Sequence, residues 1–422
     1  MSAPPPDGGL ARRLARYHPR VLELTGAPEI ALELERTGCE PEGVGIMARK
    51  GRTVLLRLDH VPLKAAPLLK QEMLAAGGDS AHARGIADHS RPESSAVLMA
   101  TPGQYRRALD KLDRQPFQLR EIALAVEAAL AHHAGSRPRT LPGTRRPIPV
   151  GGKTRVMGVI NITPDSFSDG GKYAEPGRAL ARARGLVSEG AELIDVGAES
   201  TRPGAVEVDL ETEWGRLAPV LAELGAGSPV PISIDTRHAE IAERAIAAGA
   251  DLVNDVSGLR DAAMRRLLAR TGTPAIAMHM RGTPTTMQQD TSYTDLRGEV
   301  YGALADAVAL AVEEGVPADR LLIDPGLGFG KSAEQNLELL AHLGEFRSLG
   351  PPVVVGASRK GFLGRALGGA APAERLEAGI AAAVLAATAG AAYVRTHDVG
   401  PTVRALKLAD AALGRVPLPD PA

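Results

Sequence analysis

From about residue 150 onward the chain repeats one unit eight times: a short apolar run, then a longer amphipathic stretch. The runs are Val156 to Ile162, Glu192 to Gly197, Pro231 to Asp235, Asp251 to Val256, Pro274 to Met280, Leu321 to Asp324, Pro352 to Gly356 and Ala392 to Arg395. They are rich in Val and Ile and apolar at successive positions, as strands buried on both faces are. Between them, stretches such as Arg178 to Ser188 and His238 to Ala248 carry Ala, Leu, Glu and Arg at helical spacing. Such an alternation builds a parallel sheet covered by helices. Eight strands within roughly 270 residues fit a closed (β/α)8 TIM barrel. An open doubly wound sheet is the structural rival, but it usually has fewer strands. The expected fold class is α/β, with the barrel over residues 150–422.

A barrel of this kind places its chemistry at the C-terminal ends of its strands. Those ends are polar all the way round. In order they carry Asn161, then Glu199 to Arg202, Asp235 to Arg237, Asn254-Asp255, His279 to Arg281, Asp324, Ser358 to Lys360, and Arg395 to Asp398. One or two polar ends would be helix caps; eight predict a site.

Ahead of the barrel, GSRPRTLPGTRRPIP (Gly135 to Pro149) is basic and proline-bearing and reads as an exposed linker over 135–149. Residues 1–134 read as a smaller α+β domain of unknown role. It has strands at Arg52 to Asp59 and Ser95 to Ala100, and helices at Leu63 to Ala76, Gly103 to Leu112 and Gln118 to His132. His82 and His89 are expected on its surface. The 49 basic residues balance the 50 acidic ones, so nothing argues for nucleic acid as a partner. No apolar run approaches the roughly 20 residues needed to span a membrane. The N-terminal MSAPPPDGG lacks the pattern of a secretion signal, and Cys39 stands alone. A cytoplasmic protein is expected.

Three constellations carry the chemistry. Ser358, Arg359 and Lys360 precede a helix start, and Arg395 and His397 end the last strand, which together suit an anion. Asp235, Asn254 and Asp324 suit a flat heterocycle bearing amino and ring N–H donors, since carboxylates accept paired hydrogen bonds well. Loop caps and a divalent-metal cage remain alternatives for these three. Two long polar loops, Asn161 to Gly171 and Glu199 to Ala205, read as mobile lids, with the aromatic Phe167 at the first tip. The segment DPGLGFGK (Asp324 to Lys331) is not a Walker loop, because no Lys-Ser/Thr follows at the required offset. Its glycines let backbone approach a ligand, with Phe329 as an apolar wall.

VMGVINITPDSFSDGG and GAELIDVGAESTRPGA resemble the two signatures of the dihydropteroate synthase family. SIDT, VNDVS, MHM, DPGLGFGK, GASRKGF and RTHDV follow in the family's order, so the resemblance covers about Arg155 to Arg415. Ala198 stands where the family commonly has a second glycine. The resemblance implies a pterin-binding barrel that joins (7,8-dihydropterin-6-yl)methyl diphosphate to p-aminobenzoate. It implies that Asp235, Asn254, Met278, Asp324, Phe329, Gly356 and Lys360 line the pterin site. Asn161 would hold Mg²⁺ with the diphosphate, gripped also by Thr201, Arg202, Arg395 and His397. Thr201, Pro203, Ser358 and Phe167 would receive p-aminobenzoate. Thr163, Asp165, Ser166, Phe167, Asp169, Ser200 and Arg202 would belong to the moving loops. Lys360, Asp235, Arg395 and Asn161 are the expected catalytic groups, and a homodimer is the expected assembly. A pterin-binding methyltransferase barrel is the rival enzyme, though it would not need the anion cluster or the STRPG loop. A degenerate, non-catalytic barrel is the other alternative, and loss of Asn161, Arg202, Lys360 or His397 would be its mark.

Overall fold

In the computed structural model the described residues are 13, 16–18, 20–24, 26–86, 92–135, 138–162, 175–199 and 208–418. They fall into two compact units, Met1–Glu127 and Ala128–Ala422. Among them no helix is long and apolar enough to cross a membrane.

The first unit begins with two short helices, α1 (Ala27–Glu35) and α2 (Pro41–Ala48). Strands β1 (Val54–Pro62), β2 (Asp79–His82) and β3 (Glu93–Ala100) form an antiparallel sheet in the order β1-β3-β2. Helices α3 (Ala65–Ala75), α4 (Pro102–Leu112) and α5 (Leu119–Ala134) follow the expected helical stretches. The start of α4 is fixed by a capping box, in which Thr101 and Gln104 satisfy each other's backbone N–H groups. Tyr105, buried on α4, donates to the carbonyl of Leu98 at 3.0 Å and so ties helix to sheet. His82 is half-buried rather than on the surface, because it lies on β2 with Nε2 2.9 Å from the Ser80 hydroxyl. His89 lies outside the described residues.

The second unit is the barrel. Strands β6 (Arg155–Asn161), β7 (Leu193–Gly197), β8 (Ile232–Asp235), β9 (Leu252–Asp255), β10 (Ala275–Met278), β11 (Leu321–Asp324), β12 (Val354–Gly356) and β13 (Tyr393–Thr396) all run parallel. Their order is β11-β10-β9-β8-β7-β6-β13-β12, and a parallel bridge from Ile323 to Val353 closes the ring. That closure excludes the open doubly wound sheet. Helices α6 (Glu175–Ser188), α7 (Leu210–Gly227), α8 (Ala239–Ala248), α9 (Ala262–Thr271), α10 (Leu296–Glu313), α11 (Ala333–Ala341), α12 (Gly361–Ala366), α13 (Leu376–Thr388) and α14 (Val399–Ala412) separate or follow the strands.

Side chains alternate along each strand, so the residues of one parity face the helices and the others face inward. Val156, Ile194, Ile234, Val253, Ala277, Ile323, Val355 and Val394 face outward into the large core shared with the helices. Met157, Leu193, Leu252, Ile276, Leu322, Val354 and Tyr393 form the inner, lower layer.

The segment read as an exposed linker is instead an antiparallel hairpin, β4 (Arg139–Pro142) paired with β5 (Pro147–Val150). Its prolines and arginines mark a tight turn, while Leu141, Ile148 and Val150 are buried in that same lower layer. The turn is held by Asp251, a fully buried carboxylate at the foot of β9. Its Oδ1 accepts the backbone N–H groups of Arg145 (2.7 Å) and Arg146 (2.8 Å). Its Oδ2 accepts from Ile232 N at 3.0 Å and from the Arg146 guanidinium at 2.9 Å. A carboxylate with four such donors offsets the penalty of burying its charge. Ser136 and Arg137 lie outside the described residues.

Candidate active site

Strand register assembles the site. Asn161 is paired with Gly197, Gly197 with Asp235, and Asp235 with Asn254 across β6 to β9. Met278 is level with Asp324, and Gly356 with Arg395. All share the inward parity of the apolar layer beneath them, two or four residues further along each strand. The barrel interior therefore changes from hydrocarbon to polar groups within about two residues of each strand's C-terminal end. Asp255 has the opposite parity and spends its oxygens on the backbone N–H groups of Ser257 and Leu259.

Three linked clusters result. In the first, Arg395 lies between two carboxylates: Nε donates to Asp195 Oδ2 and the terminal NH2 group to Asp235 Oδ2, each at 2.6 Å. Asn254 donates to the same Asp195 oxygen at 3.3 Å. Burial pushes Asp235 well above the usual carboxylate range, opposed by Arg395 and reinforced by Asp195. For Arg395 burial works against the charge, but Asp195 and Asp235 more than compensate and raise it.

In the second cluster Lys360, at the end of β12, donates to the carbonyl of Leu327 and lies 4.4 Å from the centre of the Phe329 ring. Phe329 packs on Val256, Met278, Met280 and Met287. Asp324 accepts Gly326 N at 2.7 Å; burial raises its pKa, while Lys360 pulls it back. Burial lowers Lys360 to about 8, and Asp324 resists that fall. Gly328 adopts φ +84°, and a Cβ there would come within 2.8 Å of Lys360 Cδ, so only glycine lets this turn pass so close. At Gly356 a Cβ would stand 3.7 Å from Arg395 Cβ and 3.9 Å from Lys360 Nζ, filling the space between the two cations.

In the third, His397 Nδ1 is 3.1 Å from the Ser358 hydroxyl and its Nε2 is 3.4 Å from the Asn161 amide nitrogen. Arg359 does not join this anion cluster. It adopts φ +61° and pairs with Asp398 at 2.5 Å.

The structure thus brings together Asn161, Asp235, Asn254, Met278, Asp324, Phe329, Gly356, Ser358, Lys360, Arg395 and His397. Thr163, Asp165, Ser166, Phe167, Asp169, Ser200, Thr201, Arg202 and Pro203 lie outside the described residues. At the base of the second loop, Glu199 is held by both Nε and NH2 of Arg237, each at 3.2 Å.

Sequence reasoning missed Asp195. It is fully buried, holds Arg395, and its Oδ1 has no hydrogen-bond partner among the described residues. A charged residue inside the apolar run LIDVG was the available signal, since a buried acid needs a partner. Lys331, buried 2.9 Å from His279 behind the Asp324 turn, was also missed.

Residues 157–397 match the model of the pterin binding enzymes. The chain belongs to the dihydropteroate synthase family. A dihydropteroate synthase from Synechocystis is 44% identical over 275 residues, 65% of this chain and 95% of that one. The Xanthomonas albilineans dihydropteroate synthase, solved with 4-aminobenzoic acid, superposes with a TM-score of 0.63 at 41% identity, covering 67% of this chain and 100% of that one. A probable bifunctional folylpolyglutamate synthase/dihydropteroate synthase from Halobacterium salinarum is 41% identical over 380 residues, 90% of this chain. That length exceeds the barrel unit, so the match runs on into the N-terminal unit. This chain spans only 45% of the bifunctional relative, under half its length.

Proposed function

We propose that this chain joins (7,8-dihydropterin-6-yl)methyl diphosphate to p-aminobenzoate, giving 7,8-dihydropteroate and diphosphate in folate biosynthesis. The observation that carries the reading is that Asp235, Asn254 and Asp324 stand at or next to the C-terminal ends of their strands with inward parity, with Arg395 paired to Asp235 and Lys360 beside Asp324. Carboxylates and an amide in that arrangement accept the amino and ring N–H donors of a pterin. Met278 and Phe329 give its flat ring apolar contact. Gly356 leaves room for it between the two cations.

The reaction these groups support is a dissociative substitution. Diphosphate leaves toward the mouth, where Arg395, His397 and the Asn161 amide offer donors to its developing charge. The cation left on the pterin methylene is delocalised into a ring bordered by Asp235 and Asp324. The neutral arylamine then attacks that carbon and gives up its surplus proton to solvent or to the departing diphosphate, with its own carboxylate received near Ser358. Thr201, Arg202, Pro203 and the Thr163 to Asp169 segment exclude water that would otherwise capture the cation. No covalent protein nucleophile is needed.

Enzymes of this family work with a metal ion, and Mg²⁺ is the ion we propose. Among the described residues no group of three or more His, Cys, Asp or Glu side chains could hold one. That suits magnesium, which keeps its waters and binds through substrate phosphates with few protein oxygens. Asn161 at the end of β6 would share it. Bound with the diphosphate, the ion would neutralise leaving-group charge. A homodimer of this chain is the proposed assembly.

Mg²⁺ with diphosphate should raise the melting temperature by mass action. Binding of p-aminobenzoate should be weak until pterin and diphosphate are in place. Calorimetry checks both points, and equally tight p-aminobenzoate binding to the ligand-free protein would contradict the ordered assembly.

A further inference from the structure

The turn from Asp324 to Lys331 carries Asp324 and Phe329 and also lends Leu327 O to Lys360. What holds the turn is its last residue. Lys331 is only 3% exposed, and its Nζ donates to the carbonyls of Gly326 (3.0 Å) and Phe329 (2.9 Å). Its remaining neighbour is His279 Nδ1 at 2.9 Å. An ammonium has three donors and no acceptor, so these three acceptors match it fully. His279 must then present a lone pair at Nδ1 and stay neutral. Burial first, then the charge of Lys331, hold its imidazole down to about 2.

His279 sits just past the end of β10, and its own backbone N–H donates to Asp324 O at 2.8 Å. His279 therefore meets both ends of the turn, Asp324 through its backbone N–H and Lys331 through Nδ1. The turn in turn meets Lys360 twice, through a carbonyl and through an aromatic face.

We propose that Lys331 is a positioning residue for the pterin site, fixing Asp324, Leu327 O and Phe329 in the one arrangement that engages Lys360 and the pterin. This rests on the synthase reading above. Lys331 acts through the turn. The charged groups around Lys331 are Asp324, Lys360 and Arg281, with the neutral His279 against it. Those around Lys360 are Asp324, Arg395 and Asp235. Burial chiefly lowers Lys331, to about 7, opposed by Asp324 and helped by Lys360 and Arg281.

The test uses the full chain with Lys331→Met and Lys331→Gln, read by steady-state kinetics in both substrates. In Lys331→Met the KM for the pterin diphosphate should rise at least about tenfold, the scale of losing a polar positioning contact. The KM for p-aminobenzoate should stay within about threefold. Lys331→Gln keeps two N–H donors without the charge, so it should recover part of the pterin KM. A lowered melting temperature with unchanged pterin KM would overturn the proposal and leave Lys331 a packing residue. If Lys331→Met does not fold, the two KM values of Lys331→Gln decide: a raised pterin KM beside an unchanged p-aminobenzoate KM supports the proposal, and two unchanged values overturn it. Absence of turnover in the unmutated chain would instead count against the synthase reading.

Discussion

Replacing Lys360 by alanine should lower turnover at least about a hundredfold, the scale of losing one electrostatic catalytic group. Its ammonium faces Asp324, Asp235 and Arg395 and touches the Asp324 turn, so in the proposed reaction its charge would bear on the pterin methylene carbon. The backbone carrying it should survive, because Phe362 and Leu363, not Lys360, anchor α12 in the core. Circular dichroism should therefore be near native while diphosphate release collapses. The same residue sets a pH dependence. Burial lowers Lys360 to about 8, so its charge is present below that value and turnover should fall as pH rises through it. An alanine variant with near-normal turnover, or a flat profile from pH 7 to 9, would remove Lys360 from the mechanism.

The second large effect concerns the hairpin. A chain shortened to begin at Arg145 keeps every strand of the barrel but loses β4 and with it Leu141. Removing a fully buried leucine and the pairing partner of β5 should cost about 2–5 kcal/mol. For a domain of this size that is a fall in melting temperature of roughly 5–15 °C. A chain beginning at Ala128 keeps the hairpin and the whole second unit. It should fold and hold turnover within about an order of magnitude of the full chain, since every strand-end group of the site lies at or beyond Asn161. Equal melting temperatures for the two shortened chains would show that the hairpin does not seal the barrel. A folded but inactive Ala128 chain would make the N-terminal unit part of the catalyst.

That hairpin also shows where the sequence stops being legible. Eight apolar runs separated by helical stretches specify the barrel because the pattern repeats and each run is buried on both faces. The polar strand ends likewise announce the site, since parallel strands and a fixed parity turn Asp235, Asn254, Asp324 and Arg395 toward one end of the barrel interior. The hairpin hides because Arg145, Arg146 and four prolines dominate the composition of Gly135 to Pro149. Its only burial signal is a pair of residues, Leu141 and Ile148, joined later by Val150. Asp195 hides for the opposite reason: an apolar run around it reads as plain strand, and only the arrival of Arg395 from the far end of the sequence reveals its purpose. Lys331 closes a glycine-rich loop, and its role shows only when the fold brings His279 against it. Long-range partners decide all three, and local pattern does not contain them.

The most direct test is to incubate the purified chain with the pterin diphosphate, p-aminobenzoate and Mg²⁺, following diphosphate and 7,8-dihydropteroate together. The two products should appear in equal amounts, neither should form without Mg²⁺, and Asp235→Ala should abolish both. Binding of the pterin without formation of dihydropteroate under these conditions would contradict it.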